Sequence, residues 1–195
     1  MNDEAFRRAL DEARSGSEPA FAVLYRSLAP AVHGFARGRG APDPEDVVAE
    51  TMASVARNLD RFRGDAAAFR SWAFTIAYRR VVDDRRRASR RVAVRHLSGA
   101  EDWPSAAAVA DSMVDGLASE PVLDAMRRLG AEQRDVVLLR VIGDLPVREV
   151  AAIMGKREGA VKMIQARALS QLRRDLTPAF APDEDEAAVV GGHDG

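Results

Sequence analysis

Residues 145–174, LPVREVAAIMGKREGAVKMIQARALSQLRR, contain two short stretches with apolar residues at helical spacing. Gly155 stands between them, where a tight turn joining two crossing helices requires a positive φ angle. Ala151, four residues earlier, is small enough to let the two helices approach closely, and Val161 follows six residues after the glycine. The other inward positions are Val147, Val150, Met154, Ile164, Ala168 and Leu172. This spacing predicts a helix-turn-helix of the kind that binds DNA.

Several basic residues remain outside these apolar stripes. They are Lys156, Arg157, Lys162, Arg167, Arg173 and Arg174. The major groove, about 12 Å wide, admits such a helix with its first turns toward the base edges, so we assign Lys162, Met163, Ala166 and Arg167 to the groove. Met163 and Ala166 favour apolar contact with thymine methyl groups. An ordinary helical hairpin with a solvated basic face is the alternative.

The rest of the chain also has the helical periodicity, so the predicted fold class is all-α. In residues 43–59, Asp43 and Pro44 are typical of the N-cap and the first position of a helix. A second helix is predicted over 66–88, and short helices over 120–129, 131–142, 147–154 and 158–175. We expect two small helical domains, 1–91 and 120–176. A flexible acidic linker, 92–119, joins them, and a disordered acidic tail, 177–195, follows.

Residues 72–91, WAFTIAYRRVVDDRRRASRR, place seven arginines directly after three aromatic residues. Single-stranded DNA presents bases and phosphates together, which suits rings that stack and guanidinium groups that bind phosphate. Tyr78 is the ring best suited to a base, although a core position is the alternative, whereas Trp72 lies on the inner stripe and is expected in the core. Asp83 and Asp84 are expected in helical ion pairs rather than around a metal.

Composition excludes several classes of protein. The 195 residues carry a formal net charge of −1, no cysteine and three histidines, so disulfides, thiolate nucleophiles and a histidine metal cluster are not expected. No apolar run approaches twenty residues and no apolar signal core begins the chain, which predicts a cytoplasmic protein without a membrane partner. We expect no enzymatic activity and no cofactor.

The charge is strongly segregated along the chain. Residues 70–95 contain nine arginines against two aspartates, whereas residues 98–120 contain five acidic residues and no basic one. A second basic block coincides with the predicted helix-turn-helix. Two basic blocks separated by an acidic spacer indicate contact with nucleic acid at two places.

Taken together, the two halves resemble an extracytoplasmic-function sigma factor, the minimal sigma-70-type initiation factor. PEDVVAETM (44–52), FRG (62–64) and the 72–91 stretch are similar to the family's region 2, with Trp72, Ile76, Ala77, Asp83 and Arg86 on matching positions. EQRDVVLLRVIGDLPVREVAAIMGKREGAVK (132–162) is similar to its region 4. The resemblance covers about 21–91 and 120–175.

The resemblance implies a transcription initiation factor whose first domain docks on the RNA polymerase core and holds the unwound −10 strand. Its second domain binds the −35 element as duplex. Asp46 and Glu50 would contact the β′ clamp coiled coil; the helix macrodipole also suits Asp46 but not Glu50, a turn further in. The −10 residues would be Tyr78, Arg79, Arg80, Arg85, Arg86 and Arg87. The −35 residues would be Arg157, Lys162, Met163, Ala166 and Arg167. The implied partners are promoter DNA, the polymerase β′ clamp and β flap, and an anti-sigma factor.

Two other classes of protein are compatible with parts of the sequence. A helix-turn-helix regulator would bind duplex DNA without the polymerase core, but it leaves residues 43–91 without a role. A metal-dependent nuclease would need clustered ligands, which the spacing of His, Asp and Glu does not favour. Comigration with core polymerase distinguishes the first two classes.

Overall fold

The computed structural model describes the backbone of residues 3–96 and 120–177, and the side chains of residues 3–83 and 121–177. Within these ranges the chain is all-α, as predicted, and contains no strand. The helices are α1 (Asp3–Arg14), α2 (Glu18–Gly38), α3 (Pro44–Asn58), α4 (Ala66–His96), α5 (Glu120–Arg128), α6 (Ala131–Val141), α7 (Val147–Met154) and α8 (Glu158–Leu176). A 3₁₀ turn, Leu59–Arg61, follows α3. The predicted linker from residue 97 and the predicted tail from residue 178 lie outside the described residues.

The start of α3 follows the predicted capping chemistry. The Asp43 carboxylate accepts a hydrogen bond from the Asp46 backbone N–H at 2.8 Å, and Pro44 takes the first helical position. The helices of the C-terminal half agree with the predicted bounds to within about a residue. Helix α4 is longer than predicted: it continues to His96, beyond both the predicted helix end at 88 and the predicted domain boundary at 91.

An aromatic cluster forms one end of the core. The ring centroids of Phe6 and Phe69 are 5.2 Å apart, and Trp72 stacks on Phe62 at 5.2 Å. Trp72 therefore packs where its inner stripe predicted. Phe6 brings α1 into the core, a contact that the sequence analysis did not anticipate. The cluster fixes the N-terminal turns of α4 and so the direction in which its basic end continues.

The two halves share one apolar core in the described residues. Val136, Leu138 and Leu139 of α6 belong to the same buried cluster as Phe35 of α2 and Ala77 of α4. The packing is tight, since a Cβ atom added at Gly38 would lie 2.6 Å from Leu138 Cδ2. The sequence predicted two separate modules, and the structure adds a direct interface between them.

Candidate nucleic-acid interface

Helices α7 and α8 form the predicted helix-turn-helix. Gly155 adopts the left-handed conformation, with φ 63°, and ends α7, which non-glycine residues would do only with strain. The Lys156 N–H donates to the Ala151 carbonyl at 2.9 Å, closing the turn. Val150, Ala151, Val161 and Ala168 are buried between the helices and their neighbours. The predicted alternation of inner apolar and outer basic positions is therefore present.

The outer face of α8 carries the residues that the sequence assigned to the groove. Arg157, the N-cap of α8, and Lys162, Met163, Ala166 and Arg167 within the helix are all exposed. Met163 is 58% exposed, although it is a large apolar residue. Lys156 differs from this group because its Nζ lies 2.7 Å from Glu132 Oε1 of α6. The free cationic surface is thus concentrated on the first three turns of α8.

Asp46 and Glu50 lie one turn apart on the exposed face of α3. Arg80 of α4 bridges them, with its Nη2 3.2 Å from Asp46 Oδ2 and 3.0 Å from Glu50 Oε1. The sequence analysis placed Arg80 with the −10 residues, whereas the structure brings it to the two carboxylates expected to dock on the polymerase. Only the packing of α3 on α4 creates this contact, so no local spacing in the sequence signals it.

Tyr78 and Arg79 occupy contrasting environments on α4. Arg79 is exposed and has no ion-pair partner among the described residues. Tyr78 is half-buried: its ring centroid lies 6.4 Å from that of Phe35, and its hydroxyl donates to Asp135 Oδ2 at 3.4 Å. The side chains of Arg85, Arg86 and Arg87 lie outside those described, and their assignment to the −10 strand stays a prediction.

The contact of Tyr78 with the other half of the chain was not foreseen. Asp135 is buried on α6, and its Oδ1 lies 2.5 Å from Nε of Arg39, the residue that follows α2. The buried Asp and Arg are far apart in the sequence, and neither stands in a pattern that marks it. Burial of polar groups is the signal that only the structure supplies.

Burial raises the pKa of the Tyr78 hydroxyl, and the Asp135 carboxylate raises it further by its charge and by accepting the hydrogen bond. Arg39 opposes this shift and Glu132 adds to it weakly. Because the pKa in the folded protein is above the usual value near 10, Tyr78 contributes stability that is complete below pH 10. That contribution is lost as the pH rises through the raised pKa.

We expect Asp135→Asn to lower the pKa of Tyr78 toward 10, because it removes the adjacent negative charge. The measurement is the ultraviolet absorbance of tyrosinate against pH in a Tyr25→Phe background, where Tyr78 is the only tyrosine. Glu18→Gln, a substitution on α2 that leaves Asp135 in place, is the control. An unchanged titration in the Asp135 variant would contradict the contact.

Other functional classes find no support in the described residues. Between residues 3 and 96 and between 120 and 177, no three His, Asp or Glu side chains converge in a way suited to a metal ion. Among the same residues, no helix combines the length and the apolar character needed to cross a bilayer. The carboxylates near the basic helix are instead paired with Arg80 and Arg39.

Two protein families match the chain, in the order that the two halves predict. Residues 24–91 match sigma-70 region 2, and residues 119–172 match sigma-70 region 4. The first contains Asp46, Glu50 and Tyr78, and the second contains the helix-turn-helix. Each match therefore falls on a surface already identified by its geometry.

Several curated relatives are extracytoplasmic-function (ECF) sigma factors. BldN of Streptomyces coelicolor is 32% identical over 169 residues, which are 86% of this chain and 64% of BldN. RpoE of Cereibacter sphaeroides is 30% identical over 175 residues, covering 89% of this chain and 94% of RpoE. SigM of Mycobacterium tuberculosis is 32% identical over 165 residues, with 83% and 80% covered. The chain thus spans somewhat less than two thirds of BldN and nearly all of RpoE.

Solved structures give the same result for the fold. CnrH, in complex with the cytosolic domain of CnrY, has a TM-score of 0.59 at 27% identity, covering 91% of this chain and 99% of CnrH. The sigma factor RpoE of Bartonella quintana, in complex with the anti-sigma factor NepR, has a TM-score of 0.64 at 23% identity, covering 80% and 96%. With both family regions present in order, and relatives of at least 30% identity covered over most of their length, the chain belongs to the extracytoplasmic-function sigma factors of the sigma-70 family.

Proposed function

We propose that this protein is an RNA polymerase sigma factor that binds the polymerase core in the cytoplasm and directs initiation at specific promoters. The observation that carries the proposal is the coexistence of two surfaces in one chain. One is the carboxylate pair of α3 beside the arginine-rich helix α4, and the other is the basic outer face of α8. We assign the chain no catalytic step of its own, since the polymerase supplies the chemistry.

Transcription with purified components tests this proposal. The protein is mixed with core polymerase and a genomic promoter library, and run-off RNA is sequenced. We expect discrete transcripts that are absent with core polymerase alone, and comigration of the protein with the core. A helix-turn-helix regulator would instead bind duplex DNA unaided and yield transcripts only when another sigma factor is added.

An anti-sigma factor is a proposed further partner. Support comes from the Bartonella quintana neighbour, which was solved bound to such a protein. Covering either of the basic surfaces would block binding to DNA phosphates, on which affinity depends. Pull-down with the tagged full chain, followed by loss of run-off RNA when the captured protein is added back, tests this part.

The −35 element is proposed to meet the exposed face of α8. Met163 and Ala166 offer apolar surface for thymine methyl groups, while Lys162 and Arg167 offer donors to base edges or phosphates. Arg157 stands at the start of the helix, where backbone N–H groups also favour phosphate. Specificity on this face therefore combines a small apolar contact with surrounding cations.

We expect Met163→Ala to weaken binding to a −35 duplex by about three- to tenfold, because a thioether side chain is withdrawn from the groove. Leu169→Ala is the matched control, since Leu169 is 43% exposed on the same helix but is not assigned to the groove. Fluorescence anisotropy measures both variants on a promoter that the protein transcribes. Equal affinities for the two variants would remove Met163 from the interface.

Arg80 is proposed to organise the docking surface rather than to bind the −10 strand. Two carboxylates four residues apart on a helix repel each other, and a guanidinium group between them relieves the repulsion and restricts their rotamers. Arg79, the next residue, is exposed and free of such pairs among the described residues. The two neighbouring arginines therefore have different proposed partners.

We expect Arg80→Ala to weaken core binding by about two- to fivefold, the size of a partly exposed ion pair, and to leave the salt dependence of DNA binding unchanged. Arg79→Ala should do the reverse, lowering the slope of log affinity against log salt by about one while core binding stays the same. Titrations of core polymerase and of a −10 single strand measure the two effects. Identical behaviour of both variants would contradict the division.

A further inference from the structure

The interface between the two halves is built around one buried carboxylate. Asp135 of α6 lies 2.5 Å from Arg39, and the two side chains are only 5% and 3% exposed. The second oxygen of Asp135 accepts the Tyr78 hydroxyl of α4 at 3.4 Å. A single side chain of the C-terminal half thus contacts both the end of α2 and the middle of α4.

Arg70 makes a second polar contact across the same interface. Its Nε donates to the Gly143 carbonyl at 2.5 Å and its Nη2 donates to the Ile142 carbonyl at 3.1 Å, beyond the end of α6. The same guanidinium group lies 5.7 Å from the centre of the Phe74 ring, which is fully buried. These contacts cover the face of α4 that holds Phe74 and Tyr78.

The chemistry of this interface suits a reversible contact. A buried ion pair contributes little net stability, because the desolvation of both charges offsets their attraction. If the halves separate, Arg39 and Asp135 become hydrated again and neither charge is left buried alone. Breaking the contact as a unit therefore costs far less than removing either partner from the closed arrangement.

We propose that this packing is a closed state of the free sigma factor in which α6 withholds Tyr78 from the −10 strand, and that the two halves separate before the strand is captured. The inference rests on the proposed role of Tyr78 as the base-stacking residue. In the closed state Tyr78 packs on Phe35, its hydroxyl is bound to Asp135, and a carboxylate stands where the anionic strand would approach. The groove-facing residues of α8 remain exposed in the same state.

A reversible cross-link across the interface tests the proposal. A Cβ atom added at Gly34 of α2 would lie 3.4 Å from Cγ2 of Ile142, so sulfurs at these two positions are within reach of a disulfide. The natural chain has no cysteine, so Gly34→Cys combined with Ile142→Cys introduces the only pair. Unmodified protein, which reductant cannot alter, and the single Ile142→Cys variant are the controls.

The probe is a fluorescent single-stranded oligonucleotide with the non-template −10 sequence of a transcribed promoter, added to the full chain. We expect oxidation to lower its affinity by about tenfold or more and reductant to restore it, because only the open population binds. Binding to a −35 duplex should change little. Equal affinity for the single strand in the oxidised and reduced forms would overturn the proposal, as would failure of the pair to cross-link.

A further arm separates this inference from the proposed function. In the reduced cysteine pair, Tyr78→Ala should bind the single strand more weakly than Tyr78. If it binds equally well, the role of Tyr78 is wrong, and a loss of binding on oxidation would then show a closed state that hides other residues. If Tyr78→Ala is defective but oxidation has no effect, Tyr78 keeps its role and the closed state is rejected.

Discussion

The double substitution Asp46→Asn, Glu50→Gln is expected to weaken binding to core polymerase by about 30-fold or more. Removing one member of a hydrogen-bonded charge pair in an interface costs about 2–5 kcal/mol, and every tenfold in affinity corresponds to about 1.4 kcal/mol. The amides keep the shape of the carboxylates and still accept hydrogen bonds from Arg80, so the packing of α3 on α4 is retained. Competition with a labelled sigma factor for core polymerase measures the loss.

Glu45→Gln is the matched control for this pair. Glu45 is an exposed carboxylate of the same helix, but it lies 3.2 Å from His33 of α2 rather than beside Arg80. Its substitution should leave core affinity within about twofold, in the range of an exposed ion pair. If Glu45→Gln weakened core binding as much as the double variant, net charge rather than the Asp46–Glu50 surface would govern docking.

Much of the fold follows from local signals in the sequence. Asp43 and Pro44 specify the start of α3, and Gly155 specifies the turn of the helix-turn-helix, because each position has a backbone requirement that few residues meet. The end of α4 was misjudged for a related reason. The arginine run after residue 84 contains good helix formers, and the first glycine comes only at residue 99.

The site could be predicted only where its residues lie close together in sequence. Lys162, Met163 and Arg167 share one face of a single helix, so helical periodicity alone exposes them together. The bridge from Arg80 to α3 and the Arg39–Asp135 pair depend on tertiary packing between elements distant in the chain. No periodicity specifies such pairs, and the net charge of a segment does not show which of its charges are already paired.

Tyr78→Ala is expected to lower the yield of open complexes by about five- to 150-fold while core affinity stays unchanged. Stacking of a base on an aromatic residue is worth about 1–3 kcal/mol, and the alanine variant loses that contact only when the strand is melted. The effect should therefore largely disappear on a template already unpaired around the −10 element, where opening no longer has to be driven. Permanganate reactivity of unpaired thymines measures opening on both templates.

Tyr78→Phe separates the ring from the hydroxyl. It keeps the stacking surface and the packing on Phe35, but it removes the hydrogen bond to Asp135. If the ring supplies the binding energy and the hydroxyl serves the closed state, this variant should open promoters at least as well as the natural protein. Opening by Tyr78→Phe as poor as by Tyr78→Ala would mean that the hydroxyl contacts DNA directly, and the single-strand affinity of the two variants would then fall together.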